Sequence, residues 1–242
     1  MSRPIHPAAT VLLLRDDDGP TGFSVFMVRR SMKSSFMPGA YVFPGGKVDP
    51  EDHDGAVDLD DDALLARFSR TLDRDTARAH LLAAAREVEE ECLVRLPDPS
   101  ALRTFARWIT PEIESRRFDA WFFVARLPAE AAPTHDDYEV TASAWVDPRD
   151  ALDKYGEGEM VFAPPTWHTL WDLARYSSVE SVIGAAAARP IHPVMPRFEE
   201  VEGAMALLLP GDALYPSEHP IEGPTRLVMR GDGRWWAVRE TV

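Results

Sequence analysis

The order of apolar segments predicts an α/β fold: helices packed on a mixed sheet, with a C-terminal helical and β-hairpin extension. Three observations predict it. Short runs rich in Val, Phe and Trp recur at 8–15, 22–30, 102–109, 118–127 and 141–147. A long Ala- and Leu-rich helical pattern, from Asp75 to about Leu93, interrupts them. Beyond about residue 148 the texture turns helical, then Pro-rich, and then folds back around Gly231-Asp232-Gly233.

The elements follow in order. Residues 8–15 and 22–30 read as two strands around an Asp-Asp-Asp-Gly-Pro turn. Both faces of the second are largely apolar, which suits a central strand. Residues 49–62 carry eight acidic side chains and read as a solvated loop, followed by a short helix around 62–71. Asp75 can cap the long helix, in which Ala77, Leu81, Ala84, Ala85, Val88 and Cys92 form one apolar stripe. Trp121-Phe122-Phe123-Val124 is the strongest strand core, and Pro148 opens a helix after Trp145-Val146. Residues 165–188 read as one further helix, and Arg226–Met229 with Trp235–Arg239 as a terminal hairpin. The expected organisation is a domain over 1–150, with an insertion at about 53–74, and an extension over 151–242 packed on the same domain.

Composition limits the partners. The 242 residues, 45% hydrophobic, supply the core of one large domain or of a domain with a lobe. A net charge of −14 opposes nonspecific attraction to nucleic acid or anionic lipid. Cys92 is the single cysteine, so neither an intramolecular disulfide nor a Cys-rich zinc site can form. The apolar run Ala8–Leu14 is too short to span a bilayer, and the Arg and Asp residues after it do not suit a signal peptide. The expected location is the cytoplasm.

Chemistry concentrates in Arg86-Glu87-Val88-Glu89-Glu90-Glu91. With about 100° per residue, Glu87, Glu90 and Glu91 share one flank of the helix, beside the buried stripe, while Arg86 and Glu89 point elsewhere. Like charges at these spacings repel by about 0.2–0.5 kcal/mol per pair. A solvated charged face would account for an arbitrary glutamate cluster. This one adjoins the core, however, and has little basic compensation at helical spacing. A hard divalent cation would relieve the repulsion. Upstream, residues 29–47 contain Arg29, Arg30, Lys33 and Lys47 and no acid, a local sign change that suits an anionic substrate.

Gly46, five residues, Asp52, and later Arg86-Glu87-Val88-Glu89-Glu90-Glu91 together resemble the motif of the Nudix hydrolases, and Phe43-Pro44-Gly45-Gly46-Lys47 matches the usual lead-in. The resemblance covers about residues 8–150. It implies a Nudix-type α/β/α sandwich. It also implies that Glu87, Glu90 and Glu91 bind Mg²⁺ or Mn²⁺, that Arg86 orients the glutamates, and that Glu90 and Glu139 are candidates for the base. Glu139 reads equally well as an acidic loop residue. Phe43, Gly45 and Gly46 would meet the substrate, with Arg29, Arg30 and Lys33. Three departures stand out: Asp52 replaces a glutamate, 26 residues are inserted before Arg86, and Leu93 replaces the glycine that ends the helix.

Residues 29–46 also resemble, more loosely, the motif that precedes the box in coenzyme A diphosphatases. The resemblance therefore implies a diphosphatase acting on coenzyme A or acyl-coenzyme A. ADP-ribose, dinucleotides and nucleoside triphosphates are the rival substrates, and an inactive Nudix-fold ligand-binding module is the rival class. A small nucleotide-derived substrate is the expected partner, without nucleic acid or membrane, and a homodimer is left open.

Overall fold

The sheet is ordered around β1 (Ile5–Asp16). The computed structural model describes residues 3–34, 37–134 and 140–238. Along one edge β1 pairs in parallel with β6 (Arg117–Arg126) from Ile5 to Leu14. Along the other edge it changes partner. Leu14–Asp16 pair with β2 (Phe23–Arg30), and Ala8–Thr10 with β4 (Gly45–Lys47), both antiparallel. At the changeover the Val11 N–H donates to the Pro44 carbonyl at 2.8 Å. With β3 (Tyr41–Val42) and β7 (Val140–Val146) on β2, β5 (Arg103–Ile109) on β6 and β8 (Pro193–Val194) on β5, the described residues make an eight-stranded mixed sheet.

Strand alternation sends side chains to two cores. Ala9, Val11 and Leu13 face α1 (Asp61–Arg67) and α2 (Arg74–Cys92), together with Trp121 and Phe123. Leu12 and Leu14 face the other way, toward α3 (Pro148–Glu157), α4 (Pro164–Leu173) and α5 (Val179–Ala188). This is the expected α/β/α sandwich. A second, antiparallel sheet of β9 (Arg197–Val201), β10 (Ala204–Leu208), β11 (Arg226–Met229) and β12 (Trp235–Ala237) adds Leu207, Leu227 and Trp235 to the α3–α5 side. It is pinned there by Tyr155, whose hydroxyl donates to the Trp235 carbonyl at 2.9 Å and accepts from the Trp235 N–H at 2.7 Å.

Several expectations need correction. Asp73, not Asp75, caps α2, accepting from the Thr76 N–H at 2.9 Å. The single helix expected over 165–188 is two, because Ser178 starts a new cap for α5. The hairpin of β9 and β10 falls in a stretch read as Pro-rich loop; its turn is Glu202-Gly203, both at positive φ. The insertion contributes to the core. Leu64 and Phe68 are buried, and the Phe68 ring packs edge-on against Trp121 at 4.8 Å and against Phe123 at 5.8 Å. Because α1 covers that flank, Ala79, His80 and Ala83 are buried too, and the inward face of α2 is wider than the predicted stripe. Among the described residues, no helix is long and apolar enough to cross a membrane.

Candidate active site

The site forms where β1 changes partner, because the loop leading into β4 must there pass over the C-terminal half of α2. Gly45 has φ +154°, and a Cβ on it would lie 2.3 Å from the Ala9 carbonyl oxygen. Its N–H donates to Glu91 Oε2 at 3.0 Å. A Cβ on Gly46 would lie 2.5 Å from Glu87 Oε1. Only glycines allow this approach. The stiff proline followed by two glycines is therefore a lid of bare backbone on two helix carboxylates.

Arg86 organises the acids. Its Nε and Nη2 donate to the two oxygens of Asp52 at 3.0 and 2.9 Å, and Nη2 also donates to the Lys47 carbonyl at 2.9 Å. Nη1 donates to Glu87 Oε1 at 2.8 Å and to Glu90 Oε2 at 3.0 Å. Read from the helix axis alone, Arg86 points away from the glutamates; its long side chain folds back to them. Asp52 lies in the acidic stretch read as solvated but is only 5% exposed. The bidentate pair it forms with Arg86 is the strong geometry for a carboxylate. The hydrogen bonds to Asp52, first of all, raise the pKa of the guanidinium, so it stays charged. Burial pushes the Glu87 carboxyl above its usual range; Arg86 opposes this, while Glu90 and Asp49 add to it.

The structure brings Gly45, Gly46, Asp52, Arg86, Glu87, Glu90 and Glu91 together. It does not gather the three glutamates around one point: Glu87 and Glu90 turn to Arg86, and Glu91 to Gly45. Among the described residues, no three His, Cys, Asp or Glu side chains converge as a metal cage. Their chemistry nevertheless fits a hard divalent cation, since all three donors are carboxylates and the Glu87 carboxyl is crowded by acids.

Phe43 departs from its expected role. Its ring is 4% exposed and edge-on to Phe122 at 6.4 Å, so it fixes the loop from within the core. Arg29 lies 5.9 Å from the Tyr41 ring and donates to the Gly39 carbonyl, while Arg30 donates to Ser34 Oγ. Lys33 is exposed. Glu139 lies outside the described residues. Leu93 takes the left-handed conformation (φ 54°, ψ 30°) that the glycine of the motif would take, so α2 ends in the usual place. The sequence reading named Asp52 only as a departure from the motif. Its role as the buried anchor of Arg86 depends on how the following loop folds.

The chain is similar to the Nudix hydrolases, enzymes that act on diphosphate bonds and generally use divalent metal ions. The family model of the NUDT19 Nudix domain matches residues 58–175. Acyl-coenzyme A diphosphatase NUDT19 of Xenopus laevis is 25% identical over 287 aligned residues, covering 86% of this chain and 75% of that protein. The Homo sapiens protein of the same name is 26% identical, covering 80% of this chain and 72% of its own length. A Nudix hydrolase from Alicyclobacillus acidocaldarius superposes with a TM-score of 0.63 at 24% identity, over 77% of this chain and 99% of that one. At that identity the superposition speaks for the fold alone.

Proposed function

We propose that the chain hydrolyses the diphosphate bond of coenzyme A or an acyl-coenzyme A, releasing 3′,5′-ADP and phosphopantetheine or its acyl form. The observation that carries the reading is the closure of Gly45 and Gly46 onto Glu91 and Glu87. The likeness to acyl-coenzyme A diphosphatases over most of both chains supports the substrate.

Mg²⁺ or Mn²⁺ on Glu87, Glu90 and Glu91 would offset phosphate charge and make a bound water more acidic. The chain's own residues do the positioning. Arg86 holds Glu87 and Glu90 in place, and the Gly45 N–H holds Glu91. Glu139 or Glu90 takes the proton of the attacking water. The water oxygen bonds to one phosphorus, the bond from that phosphorus to the bridging oxygen breaks, and two phosphate monoesters leave. Gly45 and Gly46 lend backbone to the diphosphate. Arg29, Arg30 and Lys33 are the candidates to read the 3′-phosphate.

The test is a substrate panel with Mg²⁺ and with Mn²⁺, products resolved by mass: coenzyme A, acyl-coenzyme A, ADP-ribose, a dinucleotide and a nucleoside triphosphate. Coenzyme A substrates should lead, and Glu91→Gln should remove most turnover while the fold persists. A preference for ADP-ribose would overturn the substrate but not the chemistry. Alanine at the right one of Arg29, Arg30 and Lys33 should cost about ten- to a hundred-fold on coenzyme A and little on dephospho-coenzyme A. The reading includes a cytoplasmic location, a catalytic unit over 1–150 with 151–242 packed on it, and a homodimer as the assembly that sedimentation would test.

A further inference from the structure

We propose that the groove beside the exit of α2 seats the acyl-bearing arm of the substrate, and that Leu93 sets the preference for that arm. This rests on the diphosphatase reading above and deepens it.

After Cys92 the chain runs extended and alternates. Val94 and Leu96 are buried, while Leu93, Arg95 and Pro97 turn outward. They form one wall of a groove of about 640 Å³, with Pro128, Glu130, Ala131 and Ala132 on the other wall. That volume is in the range of small-molecule sites. In the chain, Leu93 follows Glu90 by three positions, about 60° round the helix, and Glu91 by two, about 160° round it.

Leu93 is the telling residue. A non-glycine residue in the left-handed region is strained, and Leu93 is also 63% exposed, so burial of its side chain does not offset that strain. An apolar side chain held out at a position the family motif gives to glycine is explained if something apolar lies against it. The walls are mostly apolar, and Arg95 adds a hydrogen-bond donor able to meet carbonyl oxygens. That combination suits an uncharged, amide-containing arm ending in an alkyl chain. It does not suit a second diphosphate, which would need several cations.

The experiment compares wild type, Leu93→Asn and Leu93→Gly on free coenzyme A and octanoyl-coenzyme A. Asn and Gly both accept the left-handed conformation, so the helix end is kept, and thermal melting checks this. Wild type should prefer the octanoyl ester. In both variants the ratio of kcat/KM, octanoyl ester over free coenzyme A, should fall roughly tenfold, mostly through KM. An unchanged ratio with both substrates still hydrolysed overturns the groove's role and leaves the diphosphatase reading standing. Equal use of both substrates by wild type does the same. A changed sedimentation coefficient with an unchanged ratio assigns the groove to a second copy of the chain and overturns the proposal. If wild type hydrolyses neither substrate, the diphosphatase reading fails and takes the groove's occupant with it.

Discussion

The two faces of the central sheet are built differently. On the α2 face, the Arg86 guanidinium donates five hydrogen bonds to Asp52, Glu87, Glu90 and Lys47, while Arg78 Nε is buried without a hydrogen-bond partner. Leu93 adds a left-handed non-glycine residue there. On the α3–α5 face the side chains are mainly aromatic and aliphatic, and the polar atoms are less well served. His168 Nε2 and Thr169 Oγ1 make no hydrogen bond among the described residues. Strain and paired charge therefore sit where the loop meets the helix. The opposite face acts as cover.

The largest effect expected from breaking this contrast comes from Arg86→Ala. It leaves Asp52 buried without its cation, which costs about 3–5 kcal/mol, and it frees Glu87 and Glu90, so turnover should vanish as well. Urea unfolding and kinetics together test this. A variant of wild-type stability would show that the ion pair does not hold the site. Phe68→Ala should lose about as much, roughly 3–5 kcal/mol, because the ring fills the core between α1 and the sheet. The surviving folded molecules should keep wild-type kcat. A matching fall in kcat would mean that the insertion shapes the site after all.

On the cover face the effect depends on pH. Burial holds His168 down to about 4. Its folded pKa lies below its unfolded value of about 6.5, so it makes no difference above that pH. As pH falls from about 6.5 to 4, the unfolded chain takes up the proton and the folded chain does not. Stability should drop by at most about 3 kcal/mol over that window. His168→Gln should flatten that part of a stability–pH curve, and an unaltered slope would show that His168 is not the group responsible. The smallest effect has the opposite sign. Leu93→Gly relieves the left-handed strain but adds freedom to the unfolded chain, and should gain about 0.5–1 kcal/mol. A lower melting temperature would mean that Leu93 is packed in solution.

What the sequence revealed followed the range of the interactions. The spacing of Glu87, Glu90 and Glu91 is a property of one helix, and the glycines at 45 and 46 announce a close approach wherever the loop lands. Both could be read from neighbouring residues. The reach of Arg86 back to Asp52, 34 positions earlier, depends on how the loop after β4 folds. Nothing local encodes it. Leu64 and Phe68 lay in a stretch dominated by aspartates, so charge masked two core residues. The helix break had a readable signal in Ser177-Ser178, which long Ala-rich periodicity outweighed. The Glu202-Gly203 turn was equally visible, and the surrounding prolines drew attention from it.

One feature of the sheet bears on how the molecule is made. β1 precedes every other described element, yet its long parallel partner, β6, begins only at Arg117. Between them the ribosome must deliver the lid loop, the insertion, all of α2 and β5. Contacts of such sequence separation close slowly, and an apolar strand left waiting is open to wrong partners. During synthesis, Val11-Leu12-Leu13-Leu14 is thus an exposed hydrophobic segment on a nascent chain, of the kind chaperones hold. A fragment ending before Arg117 would contain the Gly-Gly loop and all three helix glutamates. It would keep β2, β3 and β4 but lack the strand that pairs along most of β1, and so have only part of the sheet on which to bring them together.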